Sequence, residues 1–177
     1  LAASLVGVTA LILIAKGNVI GQILTVLFSI LYGVVSFYSR YYGEMITYLG
    51  MSAPIALAAV FTWLKNPAAS GEVRVNTLRG RDYALLFALG AAVTFAFYFI
   101  LKAFGTARLA ISTLSVLTSF LAASLTLKRS EYYALAYAAN DVVLIALWVA
   151  ASLSDPGNLP MVACFLAFLA NLSLIHI

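Results

Sequence analysis

Long apolar runs separated by short polar turns fill this chain from end to end. A bilayer crossing takes about 20 apolar residues and offers the backbone no water, so each run predicts a helix that satisfies its own hydrogen bonds. Seven are predicted, at approximately residues 1–15, 19–39, 42–64, 82–104, 109–127, 131–153 and 158–177. Between them, Lys16-Gly17-Asn18, Ser39-Arg40, Lys128-Arg129-Ser130 and Ser154-Asp155-Pro156-Gly157-Asn158 are turn-forming sequences. The longest connection, 65–81, holds Pro, Gly and four basic residues and reads as a solvated linker. Pro54 inside the third run predicts a kink. Apolar runs reach both ends of the chain, so the expectation is a bundle truncated at both ends.

Helices one and five are four crossings apart and enter the membrane in the same direction, which permits a parallel repeat. The second helix carries Gln22, Thr25, Ser29, Tyr32 and Ser36 on one face. Adding 112 to each gives Ala134, Tyr137, Asp141, Leu144 and Trp148 in the sixth, and Lys16 coincides with Lys128. The fold class expected is therefore all-α: one transmembrane domain over 1–177, arranged three-one-three. Its first repeat is about 1–64, its linker helix about 82–104 and its second repeat about 109–177. The fourth helix, with Thr94, Tyr98 and Lys102 along one row, reads as the bridge between the halves.

Composition removes the soluble alternative. The chain is 64% hydrophobic and 9% charged, with mean hydropathy +1.07, and a soluble domain of that make-up would lack the charged exterior it needs. The net charge of +4 does not imply nucleic acid, because the basic residues lie in connections. Seven of them (Lys16, Lys65, Arg74, Arg79, Arg81, Lys128, Arg129) fall on odd-numbered connections and three (Arg40, Lys102, Arg108) on even ones. Positive charge favours the cytoplasm, so the N-terminus is expected outside and the C-terminus inside. A single cysteine, Cys164, supplies no disulfide, and His176 supplies no metal cluster or catalytic triad. With no phosphate-binding glycine loop either, neither an enzyme nor a cofactor is expected.

Polar chemistry concentrates at Asn140-Asp141, halfway along the sixth helix. An ionised Asp there costs roughly 2.5–3.5 kcal/mol on insertion scales, so it should face protein or a wet cavity. Tyr133, Tyr137, Asn140, Asp141, Leu144 and Trp148 follow helical spacing, which suits recognition of a polar, ring-containing solute. Ser112, Ser115, Ser119 and Thr126 on the fifth helix, with Gln22, Thr25 and Ser29 on the second, could line a hydrophilic route. A blander reading stands beside each: Asn140 as an interhelical hydrogen bond, Asp141 as a protonated or paired group, the Ser and Thr hydroxyls as packing aids. Glu44 lies near a helix end, where solvent or the helix N-terminus could stabilise it.

FSILYGVVSFYSRYYGEMITYLGMSAP at 28–54 and YYALAYAANDVVLIALWVAASL at 132–153 resemble the PnuC family of nicotinamide riboside transporters, and the likeness extends through all seven predicted helices. The resemblance implies a three-one-three fold in the inner (cytoplasmic) membrane, a homotrimer with one path per protomer, and facilitated diffusion followed by metabolic trapping through phosphorylation. It matches the family's ligand-contacting asparagine to Asn140, and a family asparagine of helix seven to Asn171. Where many members have two tryptophans before the first of these, this chain has Tyr133 and Ala136, and a common glutamine of helix five is replaced near Ala122-Ala123. Similar transporters carry thiamine or nucleosides, so the solute class stays a vitamin or nucleoside.

The expected mechanism is alternating access around a midplane site lined by helices two, five and six. Asn140 would recognise ribose or carboxamide, with Tyr133 and Tyr137 as ring contacts and Trp148 as a remote wall. Asp141 would accept hydroxyl hydrogen bonds or balance a pyridinium charge, and Gln22, Thr25, Ser29, Ser115 and Asn171 complete the candidates. Two rivals remain: proton coupling through Asp141, and a non-transporting membrane sensor or assembly subunit.

Overall fold

The structure, a computed structural model, describes residues 2–67 and 73–173, with Leu172 and Ser173 described by backbone alone. Its seven helices are α1 (Ala2–Ala15), α2 (Val19–Tyr38), α3 (Tyr42–Leu64), α4 (Gly80–Ala103), α5 (Leu109–Leu127), α6 (Tyr133–Ser152) and α7 (Leu159–Ser173). Five of them, α2 to α6, are long and apolar enough to cross a membrane, and α1 and α7 are shorter apolar helices. No strand occurs among the described residues; Pro67 and Val73 form an isolated bridge. Large side chains such as Leu5, Phe37, Phe61, Phe87, Phe95 and Leu135 are exposed, as a lipid-facing surface requires.

Four helices stop in the same way, which explains why the turn sequences work. After α1, α2, α4 and α5 the chain takes a positive φ at Gly17, Arg40, Gly105 and Arg129. At each, that residue's N–H and the next return to carbonyls of the last turn: Gly17 to Ile14 and Asn18 to Leu13, Arg129 to Thr126 and Ser130 to Leu125. This is the Schellman stop, and it satisfies carbonyls that would otherwise face the membrane boundary unpaired. Gly17 and Arg129 are 112 residues apart. Gly21 then lets α1 and α2 close on each other, because a β-carbon there would lie 2.6 Å from the backbone nitrogen of Ile14.

The connections sort onto two faces. On one, the described part of the α3–α4 linker is hydrogen-bonded to both neighbouring turns: Val73 N–H to Gly17 O at 3.0 Å, Asn76 N–H to Arg129 O at 2.9 Å, and Asn76 Nδ2 to Lys128 O at 3.3 Å. The linker's described residues are exposed or partly exposed, as its composition suggests, and backbone partners also tie it as a strap across two basic turns. On the opposite face Ser39 Oγ donates to Asn158 Oδ1 at 3.2 Å, and Arg108 Nη2 to Ala150 O at 2.7 Å. Successive helices therefore alternate in direction.

Six helices enclose the core, while α4 packs chiefly on α5 and leaves most of its surface uncovered. The largest buried side chains of that core are Trp148, Tyr32 and Phe165. The disturbance expected at Pro54 takes the form of one π-helical turn, Tyr48–Ser52, closed by Ala53 N–H to Tyr48 O. Widening the turn before a proline relieves the clash of its ring with the preceding carbonyls.

Candidate functional site: a polar cavity beneath an aromatic plug

A narrow cavity of about 40 Å³ lies within the bundle, threaded between side chains on one side of the midplane. Every helix except α4 contributes to its wall. From α2 come Gln22, Thr25, Phe28 and Ser29; from α6, Tyr137, Asn140 and Asp141; from α5, Ser119, Ala123 and Thr126. The second, fifth and sixth helices are thus joined by Gly7 of α1, by Tyr48 and Ser52 of the π turn, and by Phe165 and Phe168 of α7. Gly7 is required by that geometry: a β-carbon there would sit 2.3 Å from the Phe168 ring and 2.9 Å from the Phe28 ring.

Two α5 hydroxyls, Thr118 Oγ1 and Ser119 Oγ, each donate to Asn140 Oδ1 at 2.8 Å. The amide oxygen is thereby committed to the protein, and the NH₂ group is directed to Tyr48 on the cavity wall. Beside it, Asp141 is 2% exposed, and its Oδ2 has no hydrogen-bond partner among the described residues. Gln22 Nε2, 1% exposed on the facing helix, also lacks one. An unsatisfied buried polar group costs about 1–3 kcal/mol, so this donor and this acceptor leave hydrogen-bonding capacity open on the cavity wall. No Lys or Arg lines the cavity. Thr25 and Ser29 are less available, since their hydroxyls donate to Gly21 O and Thr25 O of their own helix, each at 2.9 Å.

The remaining sequence candidates lie elsewhere. Ser115 and Trp148, both fully buried, belong to a separate cluster. Tyr133 is half-buried against the hydrophobic core, and Asn171, with its Nδ2 unpartnered, is outside the cavity wall. His176 lies outside the described residues. Helical spacing put Tyr133, Tyr137 and Trp148 on one stripe, but that stripe is long enough to pass from the wall of the cavity into the packing beyond it.

That packing is the feature the sequence conceals. Thr126, Gln22 and Leu11 place the cavity toward the face carrying the linker strap, and Ser29, Asp141 and Phe165 mark its midplane limit. Beyond the limit the bundle is filled. Tyr32 is wholly buried, with its ring 4.3 Å from Tyr48, 5.6 Å from Phe165 and 5.9 Å from Trp148, and Tyr41 covers Trp148 at 5.2 Å. Trp148 Nε1 donates to Tyr32 OH at 2.7 Å. Glu44 is 0% exposed within this plug, contrary to the solvent-stabilised end position its place in the sequence suggests. Tyr32 OH donates to its Oε2 at 3.4 Å, and Ser115 Oγ lies 2.5 Å from its Oε1. The chain folds inward at Tyr41, which is buried, and that inward turn carries the first residues of α3 under the aromatic rings.

The comparisons with known proteins agree with this architecture. Residues 1–176 match a family described as "Nicotinamide mononucleotide transporter". A protein of Neisseria mucosa described as "Nicotinamide riboside transporter PnuC" is 25% identical over 176 residues, a match that takes in 96% of this chain and 66% of that protein. The chain therefore spans slightly under two thirds of that relative's length. A solved structure titled "Crystal structure of the Vitamin B3 transporter PnuC" superposes with a TM-score of 0.83 at 22% identity, over 97% of this chain and 75% of that one. The same helical membrane fold underlies both.

Proposed function

From the premise that this chain belongs to the nicotinamide mononucleotide transporter family, we propose that it carries nicotinamide riboside, or a closely related vitamin or nucleoside, across the membrane by alternating access. The observation that carries this reading is the pair of open hydrogen-bonding groups, Asp141 Oδ2 and Gln22 Nε2, in a cavity whose wall also presents the rings of Phe28, Tyr48, Tyr137, Phe165 and Phe168. Asn140 NH₂ and Gln22 Nε2 suit the carboxamide or ribose oxygens. Asp141 suits ribose hydroxyls or a pyridinium charge, and Tyr137, Phe28 and Phe168 suit the flat ring. The wall contains a carboxylate and no basic side chain, which favours a riboside over its phosphorylated form: a phosphate would face Asp141 with no cation to hold it.

Transport is facilitated diffusion, made one-way by modification of the solute after entry. The strap face, with seven basic residues, is the cytoplasmic one by the positive-inside rule, in the inner membrane of the cell, so the cavity lies on the inner side of the plug. The two halves, 1–64 and 109–177, form a parallel repeat around the bridging α4. The matched Schellman stops at Gly17 and Arg129, 112 residues apart, support that pairing. The uncovered surface of α4 supports assembly into a homotrimer.

Proteoliposome flux tests the reading. Nicotinamide riboside should equilibrate across the vesicle membrane with or without a protonophore, and nicotinamide mononucleotide should not. Flux that collapses with the protonophore would establish the proton-coupled alternative, in which the unpartnered Asp141 carries the ion. Absence of flux for the riboside, thiamine and deoxynucleosides would remove the transporter reading.

A further inference from the structure

Glu44 is a buried carboxyl group to which no solute-binding role falls, since it does not line the cavity. Its surroundings suit a neutral carboxyl group. Ser115 has one hydroxyl proton and two oxygens within reach: Ser112 O at 2.8 Å and Glu44 Oε1 at 2.5 Å. If that proton goes to the Ser112 carbonyl, which can only accept, the 2.5 Å contact needs a proton on Glu44. The other carboxyl oxygen agrees. Tyr32 OH already accepts from Trp148 Nε1, so its own proton is free to point to Glu44 Oε2. One carboxyl oxygen donating and the other accepting is the pattern of a neutral acid. Facing groups are Tyr32 of α2, Ser115 of α5 and Trp148 of α6, with Tyr48 of its own helix; no Lys or Arg among the described residues forms an ion pair with Glu44. An ionised carboxylate would sit there without a counter-ion.

The position of the group gives this chemistry a use. Its hydrogen bonds run α5–Glu44–Tyr32–Trp148, linking α3 to one helix of the first half and two of the second. They lie wholly on the side of the midplane opposite the cavity, where a route through the bundle must open if the cavity is to be reached from that face.

We infer that Glu44 is a proton-bearing latch: its neutral carboxyl group holds the plug shut on the face opposite the linker strap, and loss of these hydrogen bonds admits water there. The inference rests on the alternating-access reading above, yet its test needs no flux. Cys164, the chain's single cysteine, is buried in the same cluster as Tyr32, Tyr41 and Trp148 and reports on opening. In lipid nanodiscs, modification of Cys164 by a charged maleimide is followed by mass spectrometry. Glu44→Ala should label roughly tenfold faster than the unaltered protein, because Tyr32 and Ser115 both lose their hydrogen-bond partner. Glu44→Gln, which keeps one donor and one acceptor without charge, should label as slowly as the unaltered protein. Fast labelling of Glu44→Gln would overturn the neutral state, and slow labelling of Glu44→Ala would overturn the latch. Should Glu44→Ala fail to yield monodisperse protein, Tyr32→Phe removes the hydroxyl alone; it should label roughly threefold faster, and an unchanged rate would overturn the latch equally. A chain that moves no solute would fail in vesicles while leaving these labelling rates intact.

Discussion

Asp141 and Glu44 are both enclosed by the bundle, at 2% and 0% exposure, and they are treated in opposite ways. At Glu44, Tyr32 and Ser115 bond both oxygens, and the Tyr32 ring is itself packed against Tyr48, Trp148 and Phe165. At Asp141 one oxygen is left with no partner and faces a cavity. A membrane protein has little reason to keep a carboxyl group away from water. Saturated by protein, it joins helices; left open, it keeps a bonding capacity that the protein does not fill. The contrast separates the proposed latch from the proposed solute-binding group by hydrogen bonding alone, with no appeal to residue type.

The contrast can be broken in four ways, in descending order of effect. Asp141→Ala should lower riboside flux about a hundredfold, on the order of 3 kcal/mol, while leaving thermal stability in detergent nearly unchanged. Wild-type flux in that variant would move Asp141 into the structural class. Glu44→Ala should do the reverse, lowering unfolding free energy by about 2 kcal/mol because two buried hydroxyls lose their partner. Denaturant titration of both variants side by side reads the difference, and equal losses would erase it. For Asn140→Ala, flux at equal membrane abundance should fall about tenfold, or ~1.4 kcal/mol, as the cavity loses its NH₂ group. An unaltered rate there would dissolve the central assignment. Tyr83→Phe, on α4 and away from both carboxyl groups, removes only the 3.2 Å contact to Ser130 Oγ. It should cost about 0.5 kcal/mol of stability or less and leave flux as it was; a large flux defect would give α4 a part in the site.

Helix positions were legible because apolar runs and Schellman turns are local signals, and the observed α2, α5 and α6 lie within two residues of the runs that predict them. Gln22, Thr25, Ser29, Tyr137, Asn140 and Asp141 share one cavity, and polar side chains in apolar helices were the signal that pointed to them. The other half of the wall was invisible for a physical reason. Phe28, Phe165 and Phe168 look the same in sequence whether they face lipid or solute, since hydrophobic periodicity loses its meaning when the solvent is also apolar. Glu44 was misplaced because counting residues from a helix end does not reveal that Tyr41 turns inward. Trp148, legible as an aromatic on the right stripe, is claimed by Tyr32 instead of the cavity. The linker is solvated as its composition predicts, but its tie to two turns was not legible, because its partners are backbone carbonyls, which composition does not encode.

The wide turn at Tyr48–Ser52 sits where plug and cavity meet, and Tyr48 touches both. One surplus residue is stored there. Removing it would restore a regular spiral and swing the segment before it by about 100° relative to the segment after it. Glu44 would then swivel out of register with Ser115 while Ser52 and Ala56 kept their places on the wall. α3 is in this sense a jointed rod, whose spare residue sets the phase between the two ends of the passage.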